Sequence, residues 1–111
     1  MNKIILMGRL TADPEVNQYG KGKNQVNVAK YSLAVQRYGK NDEADFINCT
    51  CFDKLADFAE NYLNKGQKIA VEGRLQSNNY EDKDGNKRTS YEVIVERHEF
   101  CEKKEDTKKE R

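Results

Sequence analysis

Four aromatic residues stand where no core requires them. The run 46–52 reads FINCTCF. On a strand, Ile47, Cys49 and Cys51 form its apolar face, and Phe46, Asn48, Thr50 and Phe52 form the opposite one. Tyr80 shares the outward face of a later strand with Arg74, Gln76 and Asn78, and Tyr38 stands in a polar loop before residue 46. Lys54 follows Phe52 closely, and Lys83, Lys87 and Arg88 line a hairpin. The chemistry open to this set is stacking plus charge. Flat rings on an open surface stack on unpaired bases whatever their identity, at about 1–3 kcal/mol each, while Lys and Arg beside them meet phosphates. Taken singly, Phe46, Phe52 or Tyr80 would be core about half the time. Their joint position opposite the apolar faces favours binding.

The same chain offers little for making or breaking bonds. Its single histidine, His98, falls on the Glu92, Ile94, Glu96 side of its strand and reads as a surface residue. There is no Ser–His or Cys–His arrangement, no glycine loop to cradle phosphate and no H-x-E metal motif. Asp42, Glu43 and Asp45 read as a charged loop beside an aromatic strand. Cys49 and Cys51 read as small reduced core residues, and with Cys101 and His98 they lack the paired second half of a zinc site. The expectation is a binding protein with no catalytic residues, no metal and no cofactor.

The 111 residues fit one domain. Hydrophobic residues make up 36% and charged residues 35%, and the four Phe and six Tyr exceed what a disordered chain carries. So small a core leaves surface to bury, so association is expected. Net charge is +1, from 20 Lys+Arg against 19 Asp+Glu. Any grip on a polyanion must then come from the arrangement of charge and not from its amount. No run of 18 apolar residues marks a membrane span, and MNKIILMGRL reads as a strand, not a signal peptide.

The elements that must position these residues follow from periodicity. Residues 2–10 form a strand with Ile4, Leu6 and Leu10 on one face, Ile5 and Met7 on the other, and Gly8 allowing a bend. Apolar groups on both faces point to double cover or a subunit contact. Asp13-Pro14 breaks that strand, and residues 17–27 read as a loop or ragged edge strand. Residues 28–36 alternate, with Tyr31, Leu33 and Val35 opposite Lys30, Ser32 and Gln36. A mobile polar loop is expected over 37–45, then the 46–52 strand. Asp53 caps a helix over 54–65, whose stripe is Leu55, Phe58, Ala59, Tyr62 and Leu63, and Gly66 ends it. Residues 67–77 form a strand with Ile69, Val71 and Leu75 inward. The segment 78–88 carries the Asp84-Gly85 turn signal, with both turn positions open to positive φ. Residues 89–100 return with Tyr91, Val93 and Val95 alternating against Glu92, Ile94 and Glu96. The order is all-β, five strands with one helix between the third and fourth, which is the order of the OB-fold, a Greek-key barrel. The domain is expected over 1–101, with a charged, disordered tail over 102–111.

The stretches NKIILMGRLTADPEV at 2–16, YSLAVQR at 31–37, DFINCTCFDKLADFAENYLNKGQKIAVEGRLQSNNYEDKDGNKR at 45–88 and TSYEVIV at 89–95 resemble the bacterial-type single-stranded DNA-binding proteins. The resemblance implies an OB-fold assembled as a homotetramer, in preference to a dimer, in the bacterial cytosol or nucleoid, with a phage or plasmid origin also open. It implies single-stranded DNA held without sequence preference during replication, recombination and repair. Its stacking positions fall on Phe46, Phe52 and Tyr80, with Tyr38 an approximate match, and its basic contacts on Lys54, Lys65 and Arg74, with Lys3 less closely matched. Family members often carry Trp where this chain has none. The closing EKKEDTKKER has no hydrophobic acidic tip, so recruitment of replication enzymes by that route is not expected. A protein-binding OB module, a metal-dependent nuclease and an RNA-binding OB protein remain as rival readings.

Overall fold

The computed structural model describes residues 1–102, and all of the tail expected over 102–111 but Glu102 lies outside them. The strands are β1 (Ile4–Leu10), β2 (Glu15–Tyr19), β3 (Val26–Arg37), β4 (Lys40–Phe52), β5 (Lys68–Glu81) and β6 (Lys87–Phe100), with helix α1 (Lys54–Tyr62) between β4 and β5. The sheet order is β1-β5-β6-β4-β3-β2, and β1 also pairs with β3. That extra pairing closes five strands into a ring and leaves β2 as an added edge strand on β3. The closed ring with its helix is the OB barrel read from the sequence. β4 and β6 meet in parallel at Cys49–Val93 and Thr50–Ile94. The other pairings are antiparallel.

The interior is filled from alternate positions of every strand, including Leu10, Leu33, Cys49, Cys51, Ile69, Val71, Val93 and Val95. α1 plugs one end with Ala56 and Ala59 fully buried and Phe58 packed against the core. Two glycines let strands approach closely. A Cβ on Gly8 would lie 2.5 Å from the Ala34 carbonyl oxygen, and one on Gly73 would lie 2.1 Å from that of Ile94.

Several boundaries differ from the sequence reading. The loop expected over 37–45 is mostly strand, and only Tyr38 and Gly39 form the turn between β3 and β4. Two charge-assisted bonds from Arg37 to Asp45 tie the strands there. β5 and β6 likewise run longer than the strands read at 67–77 and 89–100, through Glu81 and from Lys87, leaving a loop of 82–86 around the Asp84-Gly85 turn. In that loop Gly85 alone takes positive φ, and the Asp82 carboxylate accepts the Asp84 and Asn86 N–H groups. The helix stops at Tyr62, short of the expected 65, and Asp53 makes no side-chain cap bond.

The largest correction concerns His98. The β5–β6 register passes from Gly73–Val95 to Glu72–Arg97, so Glu96 is an extra residue on β6. Beyond this bulge the faces exchange. His98 turns inward, stacks on Phe58 at 5.3 Å between ring centres, and sets its Nε2 2.7 Å from the Tyr31 hydroxyl. Leu75, expected inward, is 42% exposed, and Tyr91, which shares the Val93 and Val95 side of β6, is 60% exposed, because the β5–β6 arm continues past the barrel mouth.

Candidate nucleic-acid interface

The outer face of β3, β4, β6 and β5 forms one continuous surface. Cross-strand pairs share a face, so Lys30 lies beside Thr50, Thr50 beside Ile94, and Ile94 beside Arg74. Along β4 this face carries Phe46 and Phe52, which are 69% and 40% exposed. Along β5 it carries Arg74, Gln76, Asn78 and Tyr80, with Tyr80 52% exposed and opposite Arg88. Tyr38 projects fully from the tip of the β3–β4 turn.

These rings differ in support. Phe46 stands opposite the small Ala34, whereas Phe52 stands opposite Val28, which is buried. Between the β4 and β5 aromatics the surface is floored by Thr50 and Ile94, both buried although they point outward. A polar chain runs along β5: Arg74 Nη1 donates to Gln76 Oε1 at 2.9 Å, Gln76 Nε2 to Asn78 Oδ1 at 3.2 Å, and Asn78 Nδ2 to Glu92 Oε2 at 3.3 Å. Across the face Ser32 Oγ donates to Asn48 Oδ1 at 2.9 Å. A groove of about 350 Å³ opens over Lys30, Ser32, Asn48, Thr50 and Glu92, walled by 11–13 and Glu15.

The cations fall into three kinds. Lys54, Lys83 and Lys87 are exposed and, among the described residues, enter no ion pair. Arg88 is tied by its Nε to Asp82 at 2.8 Å, and this guanidinium, with the Asn86 and Asp84 N–H groups, holds the Asp82 carboxyl below its usual range. Lys65 lies in the connection after α1, where its backbone N–H donates to Asp13 Oδ1 at 2.8 Å. The structure therefore gathers Phe46, Phe52, Arg74 and Tyr80 on one face, puts Tyr38 and Lys83 at turn tips, and sets Lys65 beside Asp13. Lys30 and Glu92 also lie on that face. Outward strand parity was the available signal for both, and Glu92 puts a carboxylate in the middle of the surface.

His98 is half-buried and its pKa is pushed down to about 4 by loss of solvent. The Cys49 and Cys51 thiols are each pushed up to about 12, chiefly by burial. Among the described residues no cluster of three or more His, Cys, Asp and Glu could hold a metal ion, and no helix is long and apolar enough to cross a membrane.

Comparison with known proteins gives a consistent picture. A family model described as "Single-strand binding protein family" matches residues 1–101. Among similar proteins is a single-stranded DNA-binding protein of Clostridium perfringens, 42% identical over 92% of this chain and 67% of its own length. Another is single-stranded DNA-binding protein 1 of Staphylococcus aureus, 44% identical over 94% of this chain and 63% of its own. A third, from Bacillus cereus, is 45% identical over 92% and 61%. The chain thus spans roughly two thirds of the length of each of these relatives.

Proposed function

Because the chain belongs to the single-strand binding protein family, we propose that it binds single-stranded DNA with little regard to sequence, without catalysis, and so protects unwound DNA in replication, recombination and repair. Phe46, Phe52 and Tyr80 stack on bases, with Tyr38 at the rim. Lys54, Arg74, Lys83, Lys87 and Arg88 meet phosphates, with Lys65 farther out. One observation carries this reading. Large rings stand exposed on the outside of a curved sheet whose own core is already filled. Exposing them costs stability that a stacking partner would restore.

The test is a titration of oligo-dT with the Phe52→Ala, Tyr80→Ala double variant. A loss of well over tenfold is expected from two rings at about 1–3 kcal/mol each. An unchanged affinity removes the stacking reading.

The proposal extends to assembly and place. The outward face of β1 leaves Ile5 69% and Met7 52% exposed, apolar area that a second copy would cover. We assign a homotetramer working in the bacterial cytosol. Sedimentation at micromolar concentration should give four chain masses, and a monomer would overturn that assignment.

A further inference from the structure

The aromatic track does not end at Phe52. Asn17 pairs with Val28, and Val28 with Phe52, so one row of outward side chains crosses β2, β3 and β4. Two residues along the same face, Tyr19 pairs with Val26. Val28 is buried and Val26 half-buried, and together they make an apolar floor between the Phe52 and Tyr19 positions. Tyr19 is 54% exposed, while Val16, on the opposite face of β2, packs against the core. Tyr19 is therefore not a core residue that failed to close over.

Charge follows the same line. Residues 16–41 contain Lys21, Lys23, Lys30, Arg37 and Lys40 and no carboxylate, in a chain whose net charge is only +1. Lys21 and Lys23 lie in and beside the 3-10 turn at Gly22–Asn24, exposed, and among the described residues enter no ion pair. The turn is built, not slack. The Asn24 N–H donates to the Lys21 carbonyl at 3.1 Å, and Gln25 Nε2 donates to Gln18 Oε1 at 2.7 Å. An exposed ring at the end of a strand, with two cations free of ion pairs in the turn that follows it, offers the two kinds of group that a nucleotide requires.

We propose that Tyr19, Lys21 and Lys23 form a further single-stranded DNA contact, with Tyr19 stacking on a base beyond the one at Phe52 and the two lysines meeting its flanking phosphates. This rests on the reading of the β4–β5 face given above and lengthens the path of the strand across the molecule.

The test compares three proteins on oligo-dT of increasing length: the unaltered chain, Tyr19→Ala with Lys21→Gln and Lys23→Gln, and Phe52→Ala with Tyr80→Ala. The turn variant should match the unaltered chain on short oligomers and fall at least about fivefold behind on long ones. Its plot of log affinity against log salt should be shallower by about 1.4, at about 0.7 per lost phosphate contact. Tyr19→Phe with both lysines kept should bind as the unaltered chain does. Equal affinity and slope at every length, with the Phe52, Tyr80 variant weakened, overturns this inference alone. Equal binding by all three proteins overturns the underlying reading and this inference with it. The substituted side chains are exposed, so thermal midpoints should coincide, and a matched midpoint certifies the comparison.

Discussion

Phe46 and Phe52 share a face but not a burden. Phe46 stands over Ala34 and leaves most of its ring in water, so Phe46→Ala should weaken oligo-dT binding about tenfold and leave the melting temperature within about 1 °C. Phe52 covers Val28, so Phe52→Ala should lower both affinity and melting temperature, the latter by several degrees. A drop in stability for Phe46→Ala equal to that for Phe52→Ala would contradict the burial difference. The thiols give a second test at this scale. Cys49 and Cys51 are buried and hard to ionise, whereas Cys101 is partly exposed. A thiol reagent acting on the native protein should label one site, at Cys101, and three only after denaturation. The outward placement of Phe46, Phe52 and Tyr80 was legible from strand parity alone, because each lies opposite a run of small or aliphatic residues. The placement of His98 was not, because parity cannot be carried across a bulge that no residue type announces.

That bulge governs the element scale. With Glu96 inserted, β6 turns His98 into the core against Tyr31 and Phe58, where Nδ1 has no hydrogen-bond partner. Packing there strips solvent from the ring, so the neutral form is favoured and the pKa falls from 6.5 to about 4. The folded state then binds its proton less readily than the unfolded chain. The stability is fully present above the unfolded value and is lost as pH falls toward the folded one. Between about pH 7.5 and pH 5 the loss should reach about 2 kcal/mol in urea unfolding. His98→Gln should flatten that slope. The partnered carboxylates, Asp45, Glu72, Asp82 and Glu102, titrate at lower pH and so leave the window clean. Beside the bulge, Gly73→Ala would drive a methyl group into the Ile94 carbonyl and should destabilise by at least about 1–3 kcal/mol. The hairpin of β3 and β4 shows the opposite limit on reading. Residues 40–45 look like loop by polarity, yet Ala44 and Asp45 pair with Gln36 and Val35, Lys40 pairs with Arg37 across a register shift, and Arg37 reaches Asp45 across the strands.

For the whole molecule, the order of strands and helix carried the barrel into view, because each barrel strand has an inward set long enough to see. β2 stayed obscure, since among its five residues only Val16 packs on the core. A net charge of +1 makes the salt response the sharpest global test. If the six cations assigned to phosphates all engage, log affinity should fall with log salt at a slope near about −4, and a slope near zero would sink the assigned face. The ring itself is made of an antiparallel triplet, β1-β5-β6, and an antiparallel pair, β4-β3, with β2 added at the edge of β3, joined where Arg9 and Leu10 meet Ala34 and Leu33 and where Cys49 and Thr50 meet Val93 and Ile94. A shell sewn along two such short seams breathes there first, so amide protons beside the seams should exchange with solvent ahead of those in the long β5–β6 ladder. Phe52 and Tyr80 stand on opposite halves of that shell. A strand lying across both would act as a suture, and the exchange it slows would map where it passes.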